Sequence, residues 1–121
     1  MKLRTLFAAN AIVEVIFGLG FLAAPTFFLT AFGASTDATG TLLTRIAGGL
    51  ILSLAIISWF GKETKDKAVQ KAMAGGFTFA HLGAAALNVL AIQTGVFSSL
   101  GWSGVLIDVA FVAAFLIWWP K

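Results

Sequence analysis

The chain contains a single strongly hydrophilic run, Gly61-Lys62-Glu63-Thr64-Lys65-Asp66-Lys67, and on both sides of it lie long apolar stretches with very few charges. A chain so divided has few ways to fold in water. Of its 121 residues 60% are hydrophobic and 11% charged, and the mean hydropathy is +0.99. An ordinary soluble domain carries about 25% charged residues, and a soluble helix bundle repeats a polar face every turn. Neither pattern is present. Apolar runs of about 20 residues suit a spanning helix, and four of them with short connections use up the length. The expected fold is therefore all-α: a single integral-membrane four-helix bundle over residues 1–121, with spans at 3–24, 41–60, 72–94 and 102–119.

The first apolar stretch, Leu6 to Ala24, is longer than the core of a signal peptide and holds Glu14, so it reads as a span. Pro25 ends it, since proline has no N–H to donate and disfavours helix in the residue before it. Residues 26–33 are rich in phenylalanine but too short to cross, and read as a short interfacial helix ended by Gly33. Asp37 or Thr39 is placed to cap the second span. Residues 68–73 read as helix on the membrane surface, leading into the third span. Small residues (Ala8, Ala11 and Gly18 in the first span, Gly48-Gly49 in the second) favour close helix packing.

Lys2, Arg4, Lys62, Lys65, Lys67, Lys71 and Lys121 all fall on one side of this four-span arrangement, and the loops on the other side hold no Lys or Arg. The positive-inside rule then puts both termini in the cytoplasm. It fits a multi-pass protein of a bacterial or archaeal inner (plasma) membrane. Trp59, Trp118 and Trp119 fall at the inner boundary and Trp102 at the outer one. The net charge of +3 is too small and too membrane-localised to suggest nucleic acid. The bilayer is the expected partner, together with other membrane subunits or further copies of the chain.

Ionisable groups inside hydrocarbon are costly and draw attention. There are four: Glu14, Arg45, His81 and Asp108. At about 1.5 Å per residue, the first, third and fourth lie roughly 15, 14 and 16 Å from the cytoplasmic boundary. Arg45 lies near 22 Å, with a side chain long enough to reach inward. The expectation is one buried polar layer across all four helices. It could bind a proton or cation, or be an ion-pair network of Arg45 with Asp108 or Glu14 that fixes helix register. Asn10, one turn before Glu14, and Asn88, two turns beyond His81, would support it by hydrogen bonds.

A lone histidine and no cysteine give no metal or haem site, and no phosphate loop, nucleophile elbow or metal-binding helix motif occurs. The chain is expected not to be an enzyme and to need no cofactor, although a bound lipid or hydrophobic pigment would fit. Three functional classes follow. The foremost is association, as an accessory or scaffold subunit of a larger membrane complex. The others are a small proton- or cation-coupled transporter or oligomeric channel, and a binder of a lipid, quinone or pigment, with Phe27, Phe28 and Phe32 lining its access.

Two resemblances bear on this. Glu14-Val15-Ile16 resembles the first helix of the small multidrug-resistance transporters, but that family's lysine after the glutamate and its later Trp-Gly segment are not matched in order. Leu42 through Arg45-Ile46-Ala47-Gly48, the basic loop, a helix with His81, and a final helix opening at Gly101-Trp102 resemble the small four-helix proteins grouped with the DoxX-like families. The second likeness spans most of the chain. It implies the fold and no particular activity.

Overall fold

A computed structural model describes residues 2–121. Among them are five α-helices and no strands: α1 (Leu3–Ala23), α2 (Pro25–Ala31), α3 (Ala38–Gly61), α4 (Lys67–Gln93) and α5 (Gly101–Ile117). Three of them, α1, α3 and α4, are long and apolar enough to cross a membrane, and α5 is a shorter apolar helix of 17 residues. The four-helix expectation thus becomes four long helices and a seven-residue one, α2, where the interfacial helix was expected.

The boundaries follow from local chemistry. Proline is tolerated in a first turn, where its missing N–H would have had no partner. Pro25 accordingly opens α2, and Ala24 leaves the helical region at φ −135°. Gly33, at φ +83°, turns the chain after α2 in a conformation that a side chain would strain. The Asp37 carboxylate accepts from the Gly40 N–H at 2.7 Å and starts α3 three residues earlier than expected. Asp66 does the same for α4, accepting from Ala68 N at 2.8 Å and Val69 N at 3.2 Å. That cap sits inside the charged loop. The helix expected at 68–73, leading into the third span, is found as the first part of one continuous α4.

The four long helices form two antiparallel pairs, α1 with α3 and α4 with α5, and the pairs touch each other much less than their own members do. Gly48 is the reason α1 and α3 come so close. A Cβ there would lie 2.6 Å from the Leu22 nitrogen and 2.8 Å from the Gly18 oxygen, so only hydrogen fits between the backbones. Its neighbour Gly49 faces open space.

The pairs are joined at the end that holds the termini and the α3–α4 loop. There Phe7, Phe77 and Phe115 meet in a three-ring cluster with centroids 5.7–5.9 Å apart, packed on Leu6 and Ala74. Arg4 Nη2 reaches Glu63 Oε1 at 2.8 Å across this end. Both side chains are more than half exposed, so that pair adds little stability. At the opposite end Phe32 stacks on Phe97 at 5.5 Å, and Ser98 N donates to Phe32 O at 2.7 Å, tying α2 to the α4–α5 connection. Between the two ends lies the polar centre. The outward faces carry large exposed apolar side chains such as Ile12, Ile16, Leu50, Phe79 and Leu106.

Candidate functional site

A hydrogen-bond chain crosses the interior from α3 to α5. The Ser58 hydroxyl lies 2.8 Å from the Phe7 carbonyl, which can only accept, so its one hydrogen points there. Towards Asn10, 3.2 Å away, Ser58 can then only accept, and Asn10 presents its Nδ2. The Asn10 Oδ1 thus faces His81 Nε2 at 2.7 Å, and Nε2 must carry a hydrogen. On the other side of the ring, His81 Nδ1 lies 2.8 Å from Asp108 Oδ1. Asn88 Nδ2 donates to Asp108 Oδ2 at 3.3 Å, completing the chain.

The contact between His81 Nδ1 and Asp108 Oδ1 needs a hydrogen of its own. It is either an imidazolium facing a carboxylate or a neutral imidazole facing a carboxylic acid. In both forms the pair is neutral overall, so it requires no outside counter-ion. The imidazole also lies flat on Phe111, with centroids 4.7 Å apart and planes 9° from parallel, which fixes the ring in the plane its two hydrogen bonds need.

Glu14 sits one turn along α1 from Asn10 and is 7% exposed. Its Oε2 is buried with no hydrogen-bond partner among the described residues. Glu14, His81, Asn88 and Asp108 line one cavity of about 390 Å³ between the helix pairs. The remaining wall is apolar apart from Thr44. It runs along Phe17 and Phe21 of α1, Ala47 and Ile51 of α3, and Ala80 and Ala84 of α4, towards Phe32 and Phe97 at the far end. The cavity thus has polar groups towards the centre of the bundle and a greasy barrel beyond them.

Placement of the expected residues is mixed. Glu14, His81 and Asp108 are buried together, with Asn10 and Asn88 bonded into the same chain. Asn10 bonds to Ser58 and His81 on the neighbouring helices. Arg45 is not in the layer. It is exposed and forms no ion pair with Glu14 or Asp108 among the described residues. The reason is azimuth: Thr44, Ala47, Ile51 and Leu54 line the cavity, and Arg45 is rotated about 100° from Thr44. Depth alone does not say which way a side chain points.

Of the three phenylalanines proposed for ligand access, Phe32 lines the cavity. Phe28 packs its ring over Gly20 and against Phe21 at 5.8 Å, and Phe27 is 72% exposed. Sequence reasoning missed Ser58 and Phe97. The apolar stretch of α3 holds two serines, Ser53 and Ser58. Ser53 bonds back to its own helix at Gly49 O, whereas Ser58 crosses to α1. Nothing local in the sequence separates them. No cluster of three or more metal-ligating side chains occurs among the described residues.

The family model for a domain of unknown function, DUF8292, matches residues 6–120. The chain belongs to that family. The DUF8292 match takes in every member of the hydrogen-bond chain and every residue lining the cavity. No curated protein and no solved structure matches the chain.

The hydrogen-bond pattern makes a specific demand on substitutions. In Asp108→Asn an amide N–H can donate to His81 Nδ1 while the amide oxygen accepts from Asn88, so every bond is kept with a neutral imidazole. Asp108→Ala leaves His81 Nδ1 and Asn88 unpaired, at about 1–3 kcal/mol for each buried group. Thermal unfolding in mild detergent should therefore show Asp108→Asn within about 1 kcal/mol of the parent and Asp108→Ala well below it. Equal losses for the two variants would contradict the assigned pattern.

Proposed function

We propose that the protein is a four-pass integral membrane protein that binds a small amphipathic molecule between its two helix pairs. The observation that carries the ligand reading is the cavity. Its volume of about 390 Å³ lies within the range of about 300–1,000 Å³ usual for small-molecule sites. It also combines apolar walls with a few convergent polar groups, as such sites do.

Membrane insertion is supported by the three long apolar helices and by exposed leucine, isoleucine and phenylalanine side chains over the outer faces. The helix topology brings Lys2, Arg4, the α3–α4 loop and Lys121 to one end, and the excess of Lys and Arg there favours cytoplasmic termini in a bacterial or archaeal plasma membrane. Common architecture with the DoxX-like four-helix proteins is part of the same reading.

Of the other two functional classes, transport would need a path from the cavity to both membrane faces. The Phe7, Phe77 and Phe115 cluster fills the terminal end of the bundle, which weighs against a through-path in this conformation. Association with other membrane subunits has no geometric feature of its own, because an outer apolar face suits lipid as well as protein.

The chain has no cysteine, so single cysteines report topology cleanly. Lys65→Cys should react with an impermeant maleimide only after the membrane is opened, and Ser35→Cys should react on intact spheroplasts. Labelling of both from the same side would refute the topology. For the ligand, solvent extracts of protein purified in mild detergent should contain one amphipathic species near one per chain, depleted in Ala84→Phe, which fills the cavity. Extracts of the two proteins that both match bulk membrane lipid would refute the binding reading.

A further inference from the structure

The hydrogen-bonding capacity left over in the cavity specifies the head of the molecule that would occupy it. His81 has both ring nitrogens engaged, Nε2 with Asn10 and Nδ1 with Asp108. Both oxygens of Asp108 are also in use, one with His81 and the other with Asn88. The Thr44 hydroxyl gives its hydrogen to Gly40 O at 2.8 Å and keeps only accepting capacity. Asn88 retains its carbonyl and one N–H. No lysine or arginine lines the space, and Arg45 is turned away from it.

Glu14 is the exception to this saturation. The residue is 7% exposed and lines the cavity, yet Oε2 has no partner among the described residues. The nearby His81–Asp108 pair is already neutral and offers it no charge. The Asn10 amide is the one polar side chain that supports the carboxyl, and a carboxylate with so little support in such a place is costly. The cost is offset by a group that brings a hydrogen, and most fully by one that also brings a positive charge.

Resting on the ligand-binding reading above, we propose that the cavity takes an amphipathic molecule whose polar head donates hydrogen bonds, a protonated amine or an alcohol, seated on the Glu14 carboxyl. Its apolar body extends along Phe17, Ala47, Ile51 and Ala84 towards Phe32 and Phe97. An acceptor-only head such as a ketone finds no donor on a Glu14 carboxylate and only the spare N–H of Asn88 elsewhere on the wall. The site therefore discriminates by hydrogen-bond polarity, with a body of the same size.

Calorimetric titration of the full chain in phosphatidylcholine nanodiscs, corrected with empty nanodiscs, tests this with four probes of matched length: n-decylamine, n-decanol, 2-undecanone and n-undecane. At least one of decylamine and decanol should bind saturably, about tenfold or more tighter than 2-undecanone and n-undecane. Decylamine alone identifies a charged head, and equal affinity for decanol identifies the hydroxyl. Glu14→Gln carries an N–H beside its carbonyl and should bring the ketone to within about threefold of the best donor. Parent-protein binding of the ketone or the alkane as tight as that of both donors overturns the head-group inference and leaves the cavity reading standing. Absence of saturable binding by all four, or binding undiminished in Ala84→Phe, overturns both. The parent-protein series decides the question even should a variant fold poorly.

Discussion

The His81 imidazole, bonded on one edge to Asn10 and on the other to Asp108, is the interaction on which the interior depends. It is the only hydrogen-bonded link found between the α1–α3 pair and the α4–α5 pair at the centre of the bundle, among the described residues. In the proposed membrane setting water does not drive helices together, and a single interhelical hydrogen bond contributes modestly, about 0.6 kcal/mol on average. The force of the chain is the penalty for breaking it. Separation of the pairs would leave the Asn10 amide oxygen and the His81 Nε2–H each without a partner, at about 1–3 kcal/mol per group. A fully connected polar chain in a low-dielectric interior therefore fixes which faces meet and in what register.

The cavity is a consequence of how differently the two halves of the interior are filled. At the terminal end three phenylalanine rings close the space between the pairs. At the other end each of α3, α4 and α5 puts small residues on the cavity wall, Ala47, Ala80, Ala84 and Gly104. Each of the two pairs is held tightly on its own account, α1 to α3 by the backbone contact at Gly48. Space is left between them, and the polar chain forms its inner boundary.

Much of this architecture was legible in the sequence. Hydropathy and the single charged loop gave the long helices, Pro25 and Gly33 gave the short α2, and depth counting brought Glu14, His81 and Asp108 together. The helix expected from residue 68 is found from Lys67, but its Asp66 cap was not read, because a capping aspartate looks the same as any other charge in a hydrophilic run. Arg45 failed for a different reason, since depth along a helix is set by residue number whereas azimuth is set by the partner helix. Ser58 and Phe97 act only through neighbours remote in the chain, Asn10 and Phe32, and local pattern holds no trace of such pairings.

The chain has one histidine, so the protonation of its imidazole can be read without ambiguity from the ¹⁵N spectrum of histidine-labelled protein in nanodiscs. A hydrogen bond relayed from the Phe7 carbonyl through Ser58 and Asn10 requires Nε2 to be protonated in every state of the pair. Nδ1 is either a hydrogen-bonded acceptor or part of an imidazolium. A protonated Nε2 is the predicted result. A bare Nε2 with the hydrogen on Nδ1 alone would contradict the hydrogen-bond chain, and with it the reason for the cavity's polar wall.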